Sequence, residues 1–141
     1  MEGNVVSKNK IYEIAVQIMY SFLIMQNLEN SQPVNFEEIV SSVCDKPYKD
    51  CDLLLKELLI KSLKYENEII DKIKPYLRDW TFERLNTCVQ SILIISLANF
   101  YYCENKEKAI VIDVAVRLAK KYGEEKDYKF VNAILDNCLN E

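Results

Sequence analysis

Apolar side chains along this chain return every three or four residues, in blocks separated by short polar breaks. Ile11, Ile14, Ala15, Ile18, Phe22 and Met25 set the first block, which is helical periodicity. Ser7 is a suitable N-cap, so the pattern predicts a helix running to about Gln26. Val16, Met19, Leu23 and Ile24 add apolar residues on other sides, and no charge falls between Glu13 and Glu29. Such a helix is expected near the middle of a bundle. Asn30-Ser31-Gln32-Pro33 breaks the chain. Asn35 then caps a short second helix ending near Val43-Cys44, with Glu38 in the reciprocal capping position. Pro47 suits the first turn of the next pattern. Leu54, Leu55, Leu58, Leu59 and Leu63, then Ile69, Ile70 and Ile73, carry that pattern to Pro75, with a bend or split at Tyr65-Glu66-Asn67.

Tyr76-Leu77, Trp80, Phe82, Arg84 and Leu85 read as a turn or one short helical turn. Asn86 or Thr87 caps a further helix to about Tyr102. Its apolar run Ile92-Leu93-Ile94-Ile95 is interrupted at Ser96 and Asn99, and a membrane span needs about 20 apolar residues, so this is a core helix. Lys106 to Lys108 reads as a charged loop. Ala109 to Tyr122 is helical, with Gly123 expected as a left-handed stop. Asp127 opens a last helix marked by Phe130, Val131, Ile134, Leu135 and Cys138. The expectation is an all-α compact bundle of six or seven helices, forming a single domain over residues 1–141.

Composition strengthens that fold class and narrows the chemistry. The 141 residues include only 2 glycines and 3 prolines, too few for the turns of antiparallel sheets. There is no histidine, which removes serine–histidine, cysteine–histidine and histidine-ligated metal sites. Gly3 and Gly123 stand too far apart for a phosphate loop or dinucleotide fingerprint. The 5 cysteines show no C-x-x-C spacing, and their odd number argues against a disulfide framework. Cys88, Cys103 and Cys138 are read as small buried hydrophobes. No cofactor, no metal and no catalytic activity are expected. The polar first ten residues suggest no signal peptide, so the expected location is cytoplasmic, away from membranes.

The net charge of −4 is unevenly spread. Residues 27–105 hold 9 basic and 13 acidic groups, whereas residues 106–129 hold 7 basic and 5 acidic ones. Lys120, Lys121, Lys126 and Lys129 are interleaved with Tyr122, Tyr128 and Phe130. Ammonium groups neutralise phosphates and rings offer stacking faces, as a single nucleic-acid strand requires. The plainer reading is a solvated helix end with lysines near the C-terminal dipole. Glu124, Glu125 and Asp127 interrupt the patch, and on charge alone the plainer reading is preferred.

The segment Val111-Ile112-Asp113-Val114-Ala115-Val116-Arg117-Leu118-Ala119-Lys120-Lys121-Tyr122-Gly123, followed by Lys129-Phe130-Val131-Asn132-Ala133-Ile134-Leu135-Asp136, resembles the C-terminal signature of the NusB family of bacterial transcription antitermination factors. That signature reads approximately V-x-I-N-E-A-V-E-L-A-K-x-Y-G, a short loop, then K-F-V-N-G-V-L-D. Ala15-Val16-Gln17-Ile18-Met19-Tyr20 resembles the first helix of the family. Pro75-Tyr76-Leu77, Trp80, Arg84 and Leu85 resemble its middle pattern. The match runs in order over nearly the whole chain.

The resemblance implies the all-helical NusB bundle and no catalysis. It implies binding of a boxA-type single-stranded RNA in nascent ribosomal transcripts, together with the small-subunit ribosomal protein NusE, in an antitermination complex on RNA polymerase. A homodimer is a further partner state the family admits. Family RNA contacts carried onto this chain are Lys8, Lys10, Tyr20, Lys126, Lys129 and Phe130. The lysines would hold phosphates. Tyr20 and Phe130 would stack on bases or serve as core, with core preferred for Tyr20 and the two readings even for Phe130.

The chain also departs from the pattern. Ser7-Lys8-Asn9-Lys10 replaces an arginine-rich run, losing bidentate phosphate grip. Val89, Leu93-Ile94 and Ala98-Asn99-Phe100 replace family charges, which leaves NusE docking open and would suit a self-associating face. Two alternatives stand beside the RNA-binding factor. One is a protein-interaction bundle that has lost RNA binding. The other is a detached RNA-binding domain like the one that precedes certain ribosomal RNA cytosine methyltransferases.

Overall fold

A computed structural model describes residues 7–28, 35–103 and 107–140. The expected break at Asn30-Ser31-Gln32-Pro33, and Lys106 of the charged loop, lie outside the described residues. The described residues form seven α-helices: α1 Lys8–Gln26, α2 Phe36–Cys44, α3 Leu53–Lys64, α4 Glu66–Ile73, α5 Thr87–Tyr102, α6 Lys108–Tyr122 and α7 Asp127–Cys138. Single 3-10 turns occur at Tyr48–Asp50, Lys74–Tyr76 and Phe82–Arg84. Among the described residues there is no strand.

Local sequence explains most helix starts. Ser7 Oγ accepts from the Lys10 amide, Asn35 Oδ1 from that of Glu38 and Asn86 Oδ1 from that of Val89, each satisfying one of the orphan donors at a helix N-terminus. α3 differs from expectation. Pro47 precedes the Tyr48–Asp50 turn, and the helix begins six residues later at Leu53, capped by Asp52, whose Oδ1 accepts from Leu54 and Leu55. The long pattern splits at Tyr65, which ends α3 and precedes α4.

α5 is the central element. Every residue from Val89 to Phe100 is buried, and α1, α3, α4, α6 and α7 all pack against it. That centre was expected of α1, which instead lies alongside, with Tyr20, Ile24 and Met25 exposed near its end. Val89, Leu93, Ile94, Ala98, Asn99 and Phe100 are at most 5% exposed. The departures from the family pattern therefore fill the interior and leave no self-associating face on α5. Two of the polar side chains in this helix are held by nearby carbonyls. Gln90 Nε2 donates to the carbonyls of Phe82 and Leu85, and Ser91 Oγ donates to that of Thr87. Cys103 and Cys138 are buried as expected, while Cys88 is only half-buried. Burial pushes the Cys138 thiol up to about 11, as for an unreactive packing group.

Gly123 ends α6 by a different route from the one expected. Its φ of −91° and ψ of −175° are extended, so left-handed freedom is not why glycine stands there. Close approach is the reason. A Cβ at this position would lie 2.7 Å from Asp127 Oδ2 and 2.8 Å from the Ala119 carbonyl. Among the described residues the left-handed positions belong to Asp45, which closes α2, and to Arg78. Gly123→Ala is expected to destabilise the fold by about 1–3 kcal/mol through overpacking, read as a lower urea midpoint with unchanged slope.

Candidate nucleic-acid interface

Lys8 and Lys10 occupy the first turn of α1, a turn with no acidic residue. Both are exposed. Helix dipoles disfavour cations there, so these lysines add to a positive end instead of offsetting a negative one. Lys126 and Lys129 are likewise exposed at the start of α7. Lys8, Lys126 and Lys129 have no ion-pair partner among the described residues.

The turn between α6 and α7 is held by Asp127. Its Oδ2 accepts from the Glu124 amide at 2.7 Å and from Asn86 Nδ2 at 3.1 Å. Asn86 thus caps α5 and fixes the start of α7 with one side chain. Lys120 lies over the Tyr128 ring, 4.8 Å from its centroid, which further joins the two helices.

The two aromatic candidates fall differently. Tyr20 is 44% exposed, against the core reading, because α1 turns this side away from α5. Lys10, Glu13, Gln17 and Tyr20 follow one another at three- and four-residue spacing and so share one stripe of α1. Phe130 is half-buried and packs against the core. It also lines an open groove of about 380 Å³ with Tyr76, Arg78, Trp80, Ile134 and Asn137, so one face serves packing and the other meets solvent. Lys126, Lys129 and Phe130 therefore sit together at the start of α7, and Lys8, Lys10 and Tyr20 sit along α1. Among the described residues, α1 and α7 are joined through α6.

That junction is a cluster the sequence reading did not single out. Glu13, its side chain 12% exposed, accepts from Lys121 Nζ at 2.7 Å and from the Tyr122 hydroxyl, and lies 3.7 Å from Lys10 Nζ. Gln17 Nε2 donates to the Tyr122 hydroxyl at 3.1 Å. The only sequence signal was the Lys10–Glu13 spacing; the partners on α6 lie more than a hundred residues away. The bonds from Lys121 and Tyr122 hold the Glu13 carboxyl below the ordinary range. A depressed carboxyl stabilises the fold above its unfolded value near 4.5 and loses that contribution as pH falls through its lower folded value. Glu13→Gln is therefore expected to cost about 1 kcal/mol at pH 7, with the gap to wild type closing below pH 4.5 in a pH series of thermal melts.

Comparisons with known proteins agree with this architecture. Residues 9–140 match the NusB family. A transcription antitermination protein NusB of Ligilactobacillus salivarius is 36% identical over 94% of this chain and 98% of its own length. The protein of that name from Macrococcus caseolyticus is 31% identical over 94% of this chain and 96% of its own. Among solved structures, T. maritima NusB superposes with a TM-score of 0.81 at 22% identity, covering 96% of this chain and 92% of that one. A chain from a crystal structure of the antitermination factors NusB and NusE in complex with dsRNA gives 0.75 at 23% identity, covering 92% of each. With its helices in the NusB arrangement and its sequence matched almost from end to end, the chain belongs to the NusB family.

Proposed function

We propose that this protein is a transcription antitermination factor, a single RNA-binding domain that acts by binding and does no catalysis. The observation that carries the reading is the family match over residues 9–140, with relatives named for antitermination aligned over nearly their whole length. Its RNA is a boxA-type single strand of nascent ribosomal transcripts. Its partners are a NusE-type ribosomal protein and, through it, the polymerase complex, in the bacterial cytoplasm. Among the described residues no helix is long and apolar enough to cross a membrane.

The surface chemistry supports this assignment. Lys8, Lys10, Lys126 and Lys129 stand at two helix N-termini, where exposed amides and the dipole already favour anions. Phosphates placed there meet lysine charge and helix field together. The exposed face of Tyr20 and the groove face of Phe130 provide stacking surfaces, worth about 1–3 kcal/mol per base. The overall charge of −4 limits long-range attraction, so the ribosomal protein contributes to affinity by extending the surface. A fold retained only for protein interaction is the second reading, favoured by the net negative charge of −4.

Lys126→Glu combined with Lys129→Glu separates the two. Titration of labelled boxA-type RNA, with and without the ribosomal protein, should show affinity reduced tenfold or more, at least roughly, with a log–log salt slope shallower by about 1.4. Helicity should not change. Wild-type binding no stronger than to unrelated RNA, even with the partner present, would sink the RNA-binding assignment.

A further inference from the structure

The cluster at the seam of α1 and α6 has a layered charge arrangement. Glu13 lies underneath, its side chain 12% exposed, while the Lys10 and Lys121 side chains above it are 55% and 59% exposed. Two cations share one buried anion, so the side facing solvent carries net positive charge. The donors are not used up. An ammonium has three; Lys121 gives one to Glu13, and Lys10, at 3.7 Å, is paired by charge and lies beyond hydrogen-bond distance. Tyr122 is 41% exposed, with its hydroxyl fixed by Glu13 and Gln17 and Lys121 Nζ 5.3 Å from its ring centroid. Lysines beside a held, exposed ring make a surface that grips a backbone and stacks a base.

A helix-end lysine needs none of this. Lys120, its neighbour, leans on Tyr128 within the α6–α7 pair, while Lys121 crosses to α1.

We propose that the α1–α6 seam is a phosphate-binding site for single-stranded RNA, with Lys10 and Lys121 as phosphate ligands, the Tyr122 ring as a stacking face and Glu13 as the positioning residue. It continues the lysine surface from the start of α1 across α6 toward the start of α7. The site rests on the RNA-binding reading above.

The test uses Lys121→Gln and Lys121→Arg in the full chain, titrated with labelled single-stranded boxA-type RNA from 50 mM to 1 M salt. Lys121→Gln should make the log–log slope shallower by about 0.7, which over that range amounts to about eightfold in affinity at the low-salt end. Lys121→Arg should keep the wild-type slope. A Lys121→Gln protein that melts earlier but binds with the wild-type slope would overturn the site and leave Lys121 as a pin between helices, with RNA binding elsewhere intact. Absence of salt-dependent binding by the wild-type protein would instead remove the RNA-binding reading, and this site with it.

Discussion

A helix buried on every side must satisfy its polar groups internally, and α5 imposes that constraint on the rest of this protein. Twelve consecutive residues from Val89 to Phe100 are shielded from water, so neighbours must surround the helix completely. α1, α3, α4, α6 and α7 do so, and five helices about a sixth make a bundle. Gln90 sits within this helix and grips the carbonyls of Phe82 and Leu85, which explains the short turn just before it. A polar group lost from water is tolerated only when paired. Among the described residues no side-chain nitrogen or oxygen that is fully shut off from solvent lacks a partner.

The fold was largely legible in the sequence because its signals are local. Ser7, Asn35 and Asn86 announce helices through a side chain three residues from its amide partner, and those distances do not depend on the rest of the molecule. Misreadings came where a residue type serves more than one purpose. Gly123 was expected to supply a left-handed turn and supplies space for Asp127 instead. Pro47 was placed inside a helix that Asp52 begins. α1 was placed at the centre on apolar content alone, but apolar content does not say which side another helix will cover. The preference for core over stacking at Tyr20 fails for the same reason, since that side chain is exposed.

The candidate surface was only half legible. Lysines mixed with tyrosines between residues 120 and 129 can be read directly, and the family pattern adds Lys8 and Lys10. What sequence cannot display is that Glu13 meets Lys121 and Tyr122, because that meeting depends on how α6 lies against α5 and α1. Charge counts mislead for the same reason. A carboxylate beneath two ammonium groups lowers the total without making the outer surface negative.

Asn86 has a kinetic and entropic meaning beyond capping. Its amide grips the carboxylate that shapes the turn between α6 and α7, while its carbonyl oxygen starts the central helix. The order of that turn is thus acquired when the core forms. A ligand that met Lys126 and Lys129, as proposed, would restrict side-chain rotamers more than backbone, whose ordering accompanies folding. Recognition can then proceed as docking onto a prepared scaffold, and the rate of capture is set by encounter and charge more than by rearrangement.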